Sequence, residues 1–372
     1  MVRRKAVYIY DRPDWPAFRW DSNSIAARLA AVRYHQGRLL GQMQSLGFHL
    51  RMETTLLTLT QDALKTSEIE GERLDHDQVR SSLARRLGLE TAGVLATDRQ
   101  AEAIAAVVID ATQHFDQALT AERLFRWHRM LFPTGEAGLD PITVGAWRTD
   151  ASGPMQVVSG RPGRQQIHFE GPPADRVPAE MARFLAWFED RTVKTDPVLK
   201  AAIAHIWFET IHPFDDGNGR IGRAIADLEL ARSEGTGQRF YSMSARLQVE
   251  RPAYYATLEA TQKGNLDITQ RLAWFLGVLD QALCDAEAML AATIRKSRFW
   301  ENLAGQPINE RQHMMLNRLL DGFVGKLTSS KWAQIAKCSQ DTALRDIDAL
   351  LQRGVLMKEA AGGRSTSYVL AA

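Results

Sequence analysis

The run His212-Pro213-Phe214-Asp215-Asp216-Gly217-Asn218-Gly219-Arg220-Ile221-Gly222-Arg223 gathers an imidazole, two carboxylates, a Gly-Asn-Gly turn and two arginines. A glycine turn that opens a helix presents free backbone N–H groups at the positive end of the helix dipole and lets a ligand approach the backbone closely. Gly217, Asn218 and Gly219 therefore read as a phosphate cradle. Asn218 adds an amide donor, and Arg220 and Arg223 share one helix face, which suits two phosphates of one polyphosphate. Asp216 supplies the oxygen ligand through which Mg²⁺ is held beside such a chain. His212 titrates near neutrality and can take the proton of an attacking hydroxyl.

These groups must be positioned by neighbouring elements. Asp196-Pro197 gives an N-cap and a first-turn proline, and Leu199, Ile203 and Ile206 repeat at helical spacing, so His212 sits just past a helix end. Ile221, Ile225 and Leu228 repeat likewise after the glycines. Upstream, Leu56, Leu59, Ala63, Thr66 and Glu70 lie on one face of a helix over about 51–71. Gly71 follows as its C′ residue, placing the Glu70 carboxylate at the negative dipole end, where it needs an arginine. Helical periodicity disappears between Gly145 and Pro173. There Met155–Ser159 and Gln165–Phe169 flank the Gly/Pro turn 160–164 as a hairpin, whose edges are free to pair with an extended segment of another protein. Tyr254 and Tyr255 lie on a helix over Arg251–Gly264 whose aromatics can wall an adenine, with core packing the other role for at least one of them.

The motif resembles the signature of the Fic-domain family, His-x-Phe-x-(Asp or Glu)-Gly-Asn-Gly-Arg-x-x-Arg, at His212, Phe214, Asp216, Gly217, Asn218, Gly219, Arg220 and Arg223. Thr66-Ser67-Glu68-Ile69-Glu70-Gly71 is similar to that family's inhibitory motif, (Ser or Thr)-x-x-x-Glu-(Gly or Asn). The resemblance implies a protein adenylyltransferase that moves AMP from ATP, with Mg²⁺, to a Ser, Thr or Tyr hydroxyl, its own included. His212 would be the catalytic base and Asp216 the metal ligand; Gly217, Asn218, Gly219, Arg220 and Arg223 would bind ATP. By family position Tyr254 and Gln262 would contact adenine. Glu70, on the motif that Thr66 opens, would pair with Arg223 and misplace ATP. The hairpin resembles the family's flap, with Gln156, Val157, Val158 and Ile167 docking the protein target.

Composition sets the frame. The chain of 372 residues is long enough for two or three domains, and 46 Lys plus Arg against 44 Asp plus Glu imply no global attraction to nucleic acid or membrane. Two cysteines, Cys284 and Cys338, are too few for a disulfide framework or a zinc site. No run of about 18 apolar residues exists, and Met1-Val2-Arg3-Arg4-Lys5 leads into no apolar core. The expected compartment is the cytoplasm. The aromatic-proline opening around Trp15, Phe18 and Trp20 reads as a structural lid, with a helix from about Ser24. Residues 76–135 read as helices with stripes at Ala101, Ile104, Val107 and Val108 and at Leu124, Trp127, His128 and Leu131, His128 packing rather than ligating.

The expected fold is mainly α: an N-terminal helical region (1–120) with the inhibitory helix, a Fic core (121–304) with one β-hairpin flap, and a winged helix-turn-helix (305–372) after Gly305-Gln306-Pro307. In that last part a helix at 309–321, a Ser329/Ser330-capped helix, a helix bearing Leu344, Ile347 and Leu351, and a hairpin around Gly362-Gly363 follow in order. Its recognition helix sets Asp341, Asp346 and Asp348 against Arg345 and Arg353, so DNA binding is open but not favoured over a protein contact. Three rivals stay open: transfer of another group by the same site, removal of AMP, and a DNA-binding regulator whose core only senses nucleotide.

Overall fold

The computed structural model describes residues 7–89, 98–137, 140–151, 153–160, 164–320, 322–323, 325–359 and 366–371. The basic start at 1–5, the turn residues 161–163 and the paired glycines at 362–363 lie outside them. Two compact units divide the chain, Met1–Ala286 and Glu287–Ala372. That division falls inside a helix, where the sequence carries no Gly/Pro punctuation; Gly305-Gln306-Pro307 comes only after the helix has ended.

In the first unit, helices begin where a short polar side chain can take the orphan N–H groups of a first turn. Asp21 caps α1 (Ser22–Gln44), Asp75 caps α3 (His76–Arg86), Asp98 caps α4 (Arg99–Gln113) and Thr120 caps α5 (Ala121–Leu131). Between the first two runs α2 (Phe48–Ile69), which stops one residue before Glu70, with Gly71 at φ 90° as its C′ residue. Two antiparallel pairs follow, where one hairpin was expected. β1 (Glu136–Ala137) pairs with β2 (Asp140–Pro141), each too short to show any alternation. β3 (Gln156–Ser159) pairs with β4 (Gln166–Glu170) in a register that sets Val158 opposite Ile167, with a shift between Val157 and Val158.

The core is built on α6 (Val177–Glu189), α7 (Pro197–Ile211) and α8 (Asn218–Glu234), followed by α9 (Met243–Val249), α10 (Arg251–Gln262) and α11 (Thr269–Asn302). Every residue of α7 from Val198 to Ile211 is buried, as befits a helix that is covered on all sides. The opening segment packs on this core: Trp15 is buried, stands edge-on to Trp207 and donates from Nε1 to Glu180 Oε2 at 2.9 Å.

Asp110 joins α4 to α5. Its carboxylate accepts from Arg123 Nε at 2.8 Å, Trp127 Nε1 at 2.6 Å and Arg126 Nη2 at 2.9 Å. Burial pulls its pKa up, but the hydrogen bonds and charges of those partners prevail and hold it below the ordinary value of 3.8. The resulting stabilisation is present above that value and is lost as pH falls through the lower, folded one. Asp110→Ala should cost about 3 kcal/mol, because it removes the counter-charge of buried Arg123, which keeps only backbone carbonyls, and strands an indole N–H. The midpoint of urea unfolding measures this, and Asp110→Asn should lie between the two.

The second unit contains α12 (Glu310–Leu320), α13 (Ser329–Ile335), α14 (Gln340–Gln352) and the antiparallel pair β5 (Leu356–Lys358) and β6 (Tyr368–Leu370) around buried Trp332, Ile347 and Leu350. The cap of α13 is Thr328, whose side chain accepts from Lys331 N, and not Ser329 or Ser330, which lie already inside the helix. Asp346, counted above with the acids of the recognition helix, is only 5% exposed. It accepts from Arg311 Nε at 2.8 Å and Asn309 Nδ2 at 2.8 Å, and so serves the core of this unit. Among the described residues no helix is long and apolar enough to cross a membrane.

Candidate active site

His212 is the C-cap of α7 and lies in the left-handed region at φ 50°, a conformation that costs a side-chain-bearing residue energy and persists only where its surroundings impose it. Arg148 imposes it. This buried arginine donates from Nε to His212 O at 2.8 Å, and its backbone N–H reaches Pro213 O at 2.9 Å. Its Nη2 also donates to Pro172 O. No spacing links Arg148 to a motif 64 residues away, so only the fold reveals its part. His212 Nδ1 lies 3.3 Å from Glu209 O, which can only accept. That nitrogen therefore carries the proton, and Nε2 keeps its lone pair. Burial is the main cause that lowers the His212 pKa to about 4, so the ring is neutral at pH 7. Glu209 Oε2 stands 3.9 Å from the same Nδ1, and burial raises its pKa to about 7.

The loop after His212 is pinned from below. Phe214 is fully buried and stacks on His128 with ring centroids 4.2 Å apart. His128 Nδ1 accepts from Gly145 N at 3.2 Å, which fixes the tautomer and leaves Nε2 to donate to Asp216 O at 3.1 Å. His128 thus acts as a packing and hydrogen-bonding residue. Asp215, the first of the two motif acids, accepts from Thr143 N at 2.8 Å and closes the loop on the core. Gly217 caps α8 at φ 81°, and a Cβ there would meet Phe132 at 2.7 Å, so both backbone freedom and space require glycine.

Asn218 also holds the loop itself. Its side chain is buried, accepts from Phe214 N at 3.0 Å and donates to Phe214 O at 2.8 Å. One N–H of Nδ2 is spent there, which leaves its second N–H, on a buried side chain, and the backbone N–H of Asn218 for a phosphate. Both motif arginines are held by acids, Arg223 by Glu70 as expected. Arg223 donates from Nη2 to Glu70 Oε1 at 2.7 Å and to Thr66 O at 3.0 Å, and from Nε to Thr66 Oγ1 at 2.7 Å. Burial disfavours its charge, yet Glu70 prevails and holds its pKa above the ordinary value. Arg220 instead donates from Nη1 to both oxygens of Glu72, at 3.0 and 2.9 Å. Residues three apart share a helix face, but acids two apart across Gly71 take them separately, a pairing that periodicity did not single out. Glu70 also lies against Gly219, where any Cβ would collide with its Oε1. A carboxylate therefore occupies the N-terminal end of α8.

A cavity of about 660 Å³ opens above this turn. His212, Asp216, Gly217, Asn218, Gly219 and Glu70 line it, with Val157 and Val158 of the hairpin on one side and Tyr254, Tyr255 and Gln262 of α10 on another. Arg220, Arg223, Thr66, Gln156 and Ile167 do not line it. Tyr254 is buried, with its hydroxyl 3.2 Å from His205 Nε2, and Gln262 Nε2 donates to Glu209 O at 3.1 Å. Tyr255, half-buried on the next position, also lines the wall. On the hairpin, Val158 and Ile167 are 41% and 45% exposed, an apolar cross-strand pair on strands that pair only with each other among the described residues.

Residues 118–230 match the model of the Fic/DOC family. The chain carries a Fic/DOC domain. Residues 8–89 match a domain of unknown function, DUF4172. Protein adenylyltransferase fic-1 of Caenorhabditis briggsae is 32% identical over 128 residues, which are 34% of this chain and 22% of that protein. A uridine 5′-monophosphate transferase of Xanthomonas campestris pv. campestris is 29% identical over 124 residues, 31% of this chain and 21% of the relative. The chain thus spans about a fifth of the length of these relatives. A Fic family protein from Desulfovibrio desulfuricans G20 shares the fold with a TM-score of 0.54 at 22% identity, over 93% of this chain and 95% of that one. Within the Fic/DOC domain lie the α7–α8 turn, His128 and Arg148; Glu70 and Glu72 belong to the preceding matched region.

Proposed function

We propose that the chain transfers AMP from ATP to a Ser, Thr or Tyr hydroxyl of a protein, itself included, and that Glu70 restrains this activity by holding Arg223. One observation carries the reading: a neutral imidazole with an available lone pair shares a cavity with the N-terminus of α8, and a carboxylate lies where an anionic ligand of that helix would sit. His212 Nε2 takes the hydroxyl proton as the oxygen attacks the α-phosphorus, and pyrophosphate departs. The amides of Asn218 and Gly219 hold phosphate oxygens, while the N–H of Gly217 donates to Asp216 Oδ1. Arg223, released from Glu70, meets the γ-phosphate. Asp216 is exposed and lines the cavity beside these amides, and its hard oxygen donors fit Mg²⁺, which when bound neutralises charge on the phosphates. The target segment docks along the hairpin by strand addition, with Val158 and Ile167 as its apolar contacts. The site works in the cytoplasm.

A second reading is transfer of UMP, favoured by the Xanthomonas relative. Incubation with Mg²⁺ and either ATP or UTP labelled at the α-phosphate separates the two. Covalent label from ATP and none from UTP is the expected result. Covalent label from ATP labelled at the γ-phosphate with none from ATP labelled at the α-phosphate, or only reversible binding, would overturn nucleotidyl transfer. Asp216→Ala should lower the rate about tenfold or more, an effect that excess Mg²⁺ does not fully restore.

A further inference from the structure

The cavity holds a second constellation that the chemistry above does not use. Ser159 ends β3, His168 lies in β4 and Glu259 lies in α10, and all three line the same space as His212 and Gly219. Ser159 Oγ is 2.6 Å from His168 Nε2, and His168 Nδ1 is 2.7 Å from Glu259 Oε2. The other oxygen of Glu259 pairs with Lys263, which keeps the carboxylate ionised and oriented. An ionised carboxylate only accepts, so Nδ1 carries the ring proton and Nε2 is the acceptor of the Ser159 hydroxyl. A nucleophile bonded to a base, and that base oriented by an acid, is the arrangement by which a serine is activated. Ser159 is exposed, so its oxygen can meet an electrophile. A mere tether of the hairpin to α10 would need only the His168–Glu259 contact.

We propose that Ser159 is a nucleophile of this chain and the site at which it modifies itself with the nucleotidyl group. The proposal rests on the reading that ATP binds in this cavity. Ser159 Oγ bonds to the α-phosphorus, the bond from that phosphorus to the bridging oxygen breaks, and its electron pair leaves with pyrophosphate. The Ser159 proton passes to His168 Nε2, and the imidazolium so formed lies against Glu259. The product is a phosphodiester on the last residue of β3, beside the strand edge where a target would pair.

The test uses the full chain carrying Glu70→Gly, incubated with ATP and Mg²⁺, digested and read by mass spectrometry. AMP should appear on the peptide containing Ser159, disappear in Ser159→Ala and return in Ser159→Thr. His168→Gln and Glu259→Gln should each slow labelling of Ser159 about tenfold or more while thermal melting confirms that they fold. AMP found on other residues or on added proteins, with none on Ser159, overturns this proposal and leaves nucleotidyl transfer standing. Absence of AMP from every residue and every added protein overturns both. Labelling of Ser159 that His168→Gln and Glu259→Gln leave unchanged overturns the relay.

Discussion

Glu70→Gly should raise covalent transfer from ATP by roughly ten- to a hundredfold, the span that corresponds to about 1.5–3 kcal/mol for a charge-assisted hydrogen bond. The Glu70 carboxylate takes one guanidinium nitrogen of Arg223 and lies against Gly219 at the end of α8. Glycine removes both obstacles. Arg223 is buried, so loss of this partner costs stability, which the hydrogen bonds Arg223 keeps to Thr66 limit and thermal melting reads. Arg223 stays tethered through Thr66, so it remains near the helix end. Arg223→Ala in the Glu70→Gly background should lower transfer again. Because Glu72 holds Arg220 independently, Glu70→Gly with Glu72→Gln should exceed Glu70→Gly alone. A folded Glu70→Gly protein with wild-type labelling would remove restraint by Glu70 from the account.

Much of this arrangement was legible because it is local. The cap at Asp196, the proline beside it and the period of Leu199, Ile203 and Ile206 define α7, and the glycine run defines the turn into α8. Glu70 was placed by the same arithmetic, from a buried stripe and the glycine after it. What the sequence hid depends on contacts far apart in the chain. Asn218 reads as a phosphate donor by type and position; only the fold shows that its amide also clasps the buried Phe214 backbone. Arg148 supports His212 across 64 residues with no periodic signal. Glu72 follows the helix end, where periodicity no longer applies, yet it takes Arg220. Asp346 reads as a surface acid by composition, and becomes a core acceptor only when α12 brings Arg311 against it.

His212→Ala should lower transfer by about a hundredfold or more while ATP affinity changes by about twofold or less, since the ring acts on the incoming hydroxyl and not on the nucleotide. Alanine at this position also carries the strain of φ 50°, about 1 kcal/mol or more, so loss of activity from a loosened turn has to be separated from loss of the base. His212→Asn makes the separation, because asparagine tolerates the left-handed region yet cannot accept a proton. It should melt above His212→Ala and be just as inactive. Arg148→Met supplies the converse: the imidazole stays, but the carbonyls of His212 and Pro172 lose their buried donor and the ring loses its fixed place. That variant should keep measurable transfer at a reduced rate and lose thermal stability. Equal loss of ATP binding and transfer in both His212 variants would instead make His212 a part of the nucleotide site, and the proton of the attacking hydroxyl would need another acceptor in the cavity.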